Sequence, residues 1–227
     1  SSLVGSEMCI RDSIIKDMKK LIPILLAVFA LASCEKDPDM GKLDDNYLVY
    51  TNYDKQANFK DFSTFYLADK ILVISDSKEP EYLEGEGAEQ ILAAYTENME
   101  AKGYQPAADK ESADLGIQVS YIASTYYFTG YTQPEWWWGY PGYWGPSYWG
   151  NWGGWYYPYA VTYSYSTNSF ITEMVNLKAD EGEGKKLPVV WTSYLTGFET
   201  GSKAINRTLA IEAVNQSFTQ SPYLTNK

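Results

Sequence analysis

Apolar and polar positions alternate along the chain with two periods. Alternation every second residue, rich in aromatic and β-branched side chains, predicts strands over Tyr47–Tyr53 and Asp61–Tyr66, with Ile71–Ile74 a short strand or a continuation. The clearest strand is Asp114–Phe128. Leu115, Ile117, Val119 and Tyr121 point one way there, and Gly116, Gln118 and Ser120 the other. Val161–Ser166 and Phe170–Leu177 flank Thr167-Asn168, which suits a hairpin turn, and Leu187–Phe198 is a further strand. Spacing of three and four predicts a helix over Ala88–Lys102, with Ile91, Leu92, Tyr95 and Met99 on one face and Gly103 at its end. A second helix is expected over Ser202–Phe218, its apolar stripe including Ile205, Leu209, Val214 and Phe218, with Pro222 preventing continuation. Glu84-Gly85-Glu86-Gly87 and Glu181-Gly182-Glu183-Gly184 read as breakers. Strands separated by turns, with two helices to cover them, give an α+β class: a two-layer sandwich, mainly an antiparallel sheet with two helices packed on one face.

The apolar run Leu21–Leu31 has neither period. It follows Met18-Lys19-Lys20 and precedes Ala32-Ser33-Cys34, the order of a secretory signal peptide over residues 18–33. Its 11 residues fall well short of the roughly 20 that span a bilayer. Leu31-Ala32-Ser33-Cys34 resembles the lipobox of bacterial lipoproteins. The resemblance implies cleavage before Cys34, lipid on its thiol and a membrane partner through that lipid, since several acyl chains anchor stably. Residues 34–44 form an acidic tether whose Glu35-Lys36-Asp37-Pro38-Asp39 resembles the surface-export signal of Bacteroidota lipoproteins. The expected location is therefore the outer membrane, periplasmic or surface-exposed. Residues 1–17 fit none of this. Ser2–Ser13 resembles translated sequencing-adaptor read-through, so Met18 is expected to be the true start, and Cys9 carries no argument.

Composition narrows the chemistry. The chain has 227 residues, 45% hydrophobic, enough for one domain over residues 45–222. A formal charge of −11 argues against nucleic acid as a partner, because neutralising phosphates needs clustered Lys and Arg. There is no histidine, which removes the commonest general base and metal ligand. The two cysteines, Cys9 and Cys34, both precede the domain, so it has no disulfide framework. No nucleophile elbow, phosphate-binding loop or dinucleotide fingerprint occurs. Asp44-Asp45 and the Glu-Gly turns lack calcium-loop spacing. The expectation is no catalytic residue, no cofactor and no metal site. Asn206-Arg207-Thr208 matches a glycosylation sequon but falls inside a predicted helix.

Between the two groups of strands lies an insertion, residues 131–159, with seven of the eight tryptophans. Its Gly, Pro and Tyr content predicts no regular element. Three readings stay open: an insertion partly packed on the sheet, a surface that stacks on sugar rings, or a contact for a membrane interface or protein partner. Missing basic residues disfavour a nucleic-acid platform. The candidate ligand-binding residues are Trp136, Trp137, Trp138, Trp144, Trp149, Trp152 and Trp155.

The domain resembles the envelope lipoproteins that share domain of unknown function 4136. The resemblance rests on Val49-Tyr50-Thr51-Asn52-Tyr53-Asp54, Asp61-Phe62-Ser63-Thr64-Phe65-Tyr66, Lys102-Gly103-Tyr104, Asp114-Leu115 with Val119, Met174-Val175-Asn176-Leu177, Val189-Val190-Trp191 and the closing helix. Asn176 stands where an aspartate is usual, and Thr192-Ser193 where a basic residue and glycine are. The resemblance implies an α+β sandwich with no established activity, and Trp191 reads as a core anchor. The expected function is a non-enzymatic, membrane-anchored envelope lipoprotein presenting a binding or assembly surface, with a glycan or an envelope protein as partner. The alternatives are a glycan hydrolase using two carboxylates and a structural partner in envelope assembly whose aromatic loop is disordered.

Overall fold

The structure is a computed structural model and describes residues 47–75, 77, 79–123, 126–132, 148–165, 167–179 and 185–227, with backbone alone for 126–132 and 162–165. The expected signal peptide, Cys34, the expected acidic tether and the expected Glu181–Gly184 turn lie outside the described residues. So do Trp136, Trp137, Trp138 and Trp144.

The described residues form ten strands and two α-helices. The strands are β1 (Leu48–Tyr53), β2 (Thr64–Leu67), β3 (Ile71–Ile74), β4 (Glu81–Leu83), β5 (Gln105–Pro106), β6 (Leu115–Ile122), β7 (Tyr126–Thr132), β8 (Trp155–Tyr165), β9 (Ser169–Asn176) and β10 (Leu187–Thr196). The helices are α1 (Glu86–Ala101) and α2 (Lys203–Thr219), so the class is α+β, as the sequence predicts. The long ladders β6–β9, β9–β10, β1–β10 and β7–β8 are antiparallel. β2 and β3 run along one edge of β6, parallel to it, as two halves of a strand interrupted at Ala68–Lys70. A parallel neighbour requires a crossover, and α1 lies in it.

Each helix forms for local reasons. Gly85, at φ 90°, turns the chain into α1, whose Ala88, Ile91, Ala94, Tyr95 and Met99 are buried. At the other end Gly103, at φ 101°, adopts the left-handed conformation that follows many helix ends. Ser202 caps α2 by accepting from the Ile205 N–H, and Leu209, Ala210, Ala213, Val214 and Phe218 are buried. Ile205, placed by its spacing on the apolar stripe, is instead 52% exposed, because the first turn of α2 extends past the core. Asn98 Nδ2 donates to Asn215 Oδ1 at 2.7 Å, joining the two helices.

Two corrections concern connectivity. The single strand expected over Asp114–Phe128 is two, since β6 ends at Ile122 and β7 pairs with β8. The hairpin expected around Thr167-Asn168 does not form, although Asn168 turns the chain at φ 57°. β9 is hydrogen-bonded to β6 on one edge and β10 on the other, which leaves no edge for β8. β4 and β5, of three and two residues, carry too little pattern to be predicted.

The sheet buries both faces. On the helix side, Leu115, Ile117 and Val119 of β6 meet Phe170 and Met174 of β9 and the apolar stripes of α1 and α2. A bulge in β10 brings both Val190 and Trp191 into this core. Trp191 is fully buried and its indole donates to Ser221 Oγ at 3.0 Å, so it is the core anchor expected of it. Tyr95 reaches from α1 to Thr172 Oγ1 at 2.5 Å, and burial pushes its phenol up to about 12. At one end of the sheet, Asp114 accepts from the backbone N–H of Ser63 and Thr64, at 2.6 and 3.1 Å, and pairs with Lys178 at 3.2 Å. Partial burial raises the Asp114 carboxyl, but these partners outweigh it and hold the group below its ordinary range. Among the described residues no helix is long and apolar enough to cross a membrane.

Candidate functional site

The other face begins from the small and polar positions of β6. Gly116, Gln118 and Ser120 alternate with the apolar residues turned towards the helices, and Glu173 of β9 lies opposite Gln118 in register. Solvent does not cover this row. Trp149, Trp152 and Trp155 do, together with Tyr157 and Val161 of β8, forming a second apolar cluster with Leu72, Ile171, Val175 and Val189.

Gly116 makes that cover fit. A Cβ on it would stand 2.6 Å from Trp149 Cζ3 and 2.7 Å from Cε3, so only glycine leaves room for the indole. Trp149 is 5% exposed and its Nε1 donates to Gln118 Oε1 at 3.2 Å. Gln118 Nε2 donates in turn to Glu173 Oε2 at 2.8 Å, and the Tyr157 hydroxyl donates to Glu173 Oε1. Tyr66 and Tyr148 set their rings edge-on to Trp149, and Lys110 Nζ stands 3.9 Å from the centre of the Tyr148 ring. Trp149 is thus held on its faces by packing and at its N–H by a hydrogen bond.

Glu173 is 2% exposed. Burial pushes its carboxyl up to about 8, against the opposing effect of the Tyr157 hydrogen bond. At neutral pH it is therefore mostly protonated, the form that costs least to bury. Chemically the group can hold or release one proton. Neither Gln118, Trp149 nor the Tyr157 phenol brings a second carboxyl to it. Among the described residues no group of three or more His, Cys, Asp or Glu could hold a metal ion.

The seven candidate tryptophans therefore separate. Trp149, Trp152 and Trp155, at 5%, 7% and 2% exposure, form part of the second core and offer no stacking face to solvent. β8 begins at Trp155, inside a stretch where no regular element is expected, because its first residues pair with Leu187 and Pro188 of β10. Sequence reasoning missed Glu173 and Gln118. The available signal was a carboxylate inside the apolar run Phe170–Val175, where a charge has no place unless something covers and bonds it.

The sequence profile of the family described as "Domain of unknown function (DUF4136)" matches residues 49–223. The chain belongs to this family. Its DUF4136 domain runs from β1 to just beyond α2 and includes Gly116, Gln118, Trp149 and Glu173. Among curated proteins none matches the chain. The resemblance read from the sequence thus holds for the domain.

Proposed function

We propose that this DUF4136 protein is a non-enzymatic, lipid-anchored envelope protein that presents a binding surface through its aromatic segment, with glycan as the ligand class. The observation that carries the reading is the anchoring of that segment. At its start, β7 pairs antiparallel with β8 up to Thr132. At its end, Trp149, Trp152 and Trp155 are buried against the sheet. Residues 133–147, with Trp136, Trp137, Trp138 and Trp144, are joined to fixed structure at both ends. Fixed ends lower the ordering cost of binding, and Trp and Tyr supply flat apolar faces with polar tips that suit sugar rings. Cys34 with its lipid would tether the domain to the outer membrane.

The test is co-sedimentation of the full chain with peptidoglycan and insoluble polysaccharides. Replacing Trp136, Trp137, Trp138 and Trp144 together with Ser should abolish sedimentation and leave thermal unfolding unchanged. Retained sedimentation would overturn the glycan reading. For the anchor, Cys34→Ser should move the protein from the membrane fraction to the soluble fraction.

A second reading, a carboxylate-dependent glycan hydrolase, has one observation in its favour. Burial pushes the Glu173 carboxyl up to about 8, the direction required of a general acid, but the group is 2% exposed, so a glycan reaches it only if the aromatic cover moves aside. Such an enzyme needs a second carboxyl about 5–10 Å away across an open cleft. Glycan hydrolysis by the full chain that is lost in Glu173→Gln would favour this reading over the first.

A further inference from the structure

One cavity lies away from the aromatic cover, on the helix side. It has a volume of about 610 Å³ and opens between the first turns of α1 and α2 beside the Asn168 turn. Its floor is the apolar core itself, formed by Ala88, Ile91, Phe170, Phe198 and Ala210. A mostly apolar concavity of this size with a few convergent polar groups is the usual form of a small-molecule site, which runs from about 300 to 1,000 Å³.

Its polar rim is uneven. Tyr121 donates to Asn168, and Asn168 Nδ2 donates to Glu199 Oε1 at 2.6 Å, so that end is already hydrogen-bonded. Glu84 lies on the lip and is exposed. Lys203 and Arg207 also line the cavity, one turn apart on α2, so they share a face of the helix. Gly87 of α1 lies beside Arg207; a Cβ there would make ordinary contact with Arg207 Cδ at 3.5 Å. Among the described residues neither cation forms an ion pair or hydrogen bond. In a chain of net charge −11, two such cations beside an apolar floor are unusual, because most of the surface repels anions.

We infer that this cavity is a binding site for a monoanionic amphiphile, in chemical class a long-chain carboxylate. Its head group sits between Lys203 and Arg207, and its hydrocarbon lies over Ile91, Phe170 and Phe198. The charge complementarity is one-sided. Glu84 on the lip disfavours a second negative charge on the head group. A neutral alcohol of the same length leaves the two cations without a counter-ion.

The test is isothermal titration calorimetry of the full chain with sodium laurate below its micelle concentration, with dodecanol and inorganic phosphate in parallel. Laurate should bind saturably at one site, and dodecanol and phosphate at least about tenfold more weakly. Lys203→Gln with Arg207→Gln should weaken laurate by about tenfold or more, since charge-assisted hydrogen bonds are lost. Ala204→Trp, a solvent-exposed position on the lining, should fill the cavity and weaken laurate while the melting temperature stays unchanged. Absence of saturable laurate binding, wild-type affinity in both variants, or phosphate binding as tightly as laurate would each overturn the assignment.

Discussion

The two faces of the sheet are both buried, yet they are built on different chemistry. The helix face is a conventional apolar core in which the side chains of α1, α2, β6 and β9 meet without charge. The aromatic face covers a polar row, and it does so with side chains drawn from the edge of a Trp-rich insertion. On the first face most positions are secured by lost apolar area, with a few hydrogen bonds such as Tyr95 to Thr172 and Trp191 to Ser221 set among them. On the second, Gly116 provides a slot, Trp149 fills it, and Gln118, Tyr157 and Glu173 satisfy one another beneath it. Burial of polar groups costs least when they are hydrogen-bonded, as Gln118 and Glu173 are, so the second face depends more on geometry and the first more on area.

The largest expected effect separates the two in magnitude. Phe218 is 1% exposed and packs on Tyr95 and Trp191 at ring distances of 6.0 and 5.5 Å. Phe218→Ala should cost about 3–5 kcal/mol in urea unfolding, by the same amount at pH 5 and pH 9. A strongly pH-dependent loss would mean that the faces are coupled. On the aromatic face, Gly116→Val forces the Trp149 ring out of its slot. It should cost about 1–3 kcal/mol and shift tryptophan fluorescence to the red. An unshifted spectrum would mean that Trp149 does not rest on Gly116.

Glu173 supplies the contrast in pH. Its folded carboxyl titrates near 8, above the ordinary value of 4.5, so the folded state holds its proton longer than the unfolded chain. Stability from this group is full at acid pH, falls as pH rises from about 4.5 to about 8, and is flat beyond, with a slope of up to about 1.4 kcal/mol per pH unit. Glu173→Gln should remove that decline, and a Tm profile unchanged by the substitution would rule out the buried proton. The smallest effect is expected at the end of β6. Asp114 is held below its ordinary range, so its contribution is present above that range and lost as pH falls through the depressed value. Asp114→Asn should cost about 1 kcal/mol at neutral pH and nothing in strong acid.

How much could be read beforehand differs in the same way. The helix face was legible because Leu115, Ile117 and Val119 repeat every second residue and Ile91, Tyr95 and Met99 every fourth. Trp191 was legible as an anchor for a similar reason, standing within an apolar strand. The aromatic face was legible only as one of three open readings, an insertion partly packed on the sheet, which Trp149, Trp152 and Trp155 bear out. Gly116, Gln118 and Ser120 were placed on the side away from the helices, but nothing in their spacing indicates that tryptophans 29 or more residues later would lie over them. Trp149, Trp152 and Trp155 have the composition of surface-stacking residues, and only their positions over the sheet make them core. The hairpin at Asn168 failed for an allied reason. Turn chemistry decides that the chain turns, and edge availability decides which strand it joins.

By itself, then, the sequence determined the α+β class, the two helices, most strand positions, the family and the anchor role of Trp191. The class, the helices and the strand positions follow from short-range periodicity, which a few neighbouring residues contain in full, and the family from the resemblance of its motifs in their order along the chain. Only the tertiary structure decided that the polar row of β6 is covered, that Glu173 is buried and keeps its proton, and that three of the tryptophans belong to the core. It also brought Lys203 and Arg207 to an apolar cavity. The physical reason is that burial is a property of pairs distant in sequence. Whether a glutamate or an indole meets water depends on which segment folds over it, and neither residue's own neighbours record that.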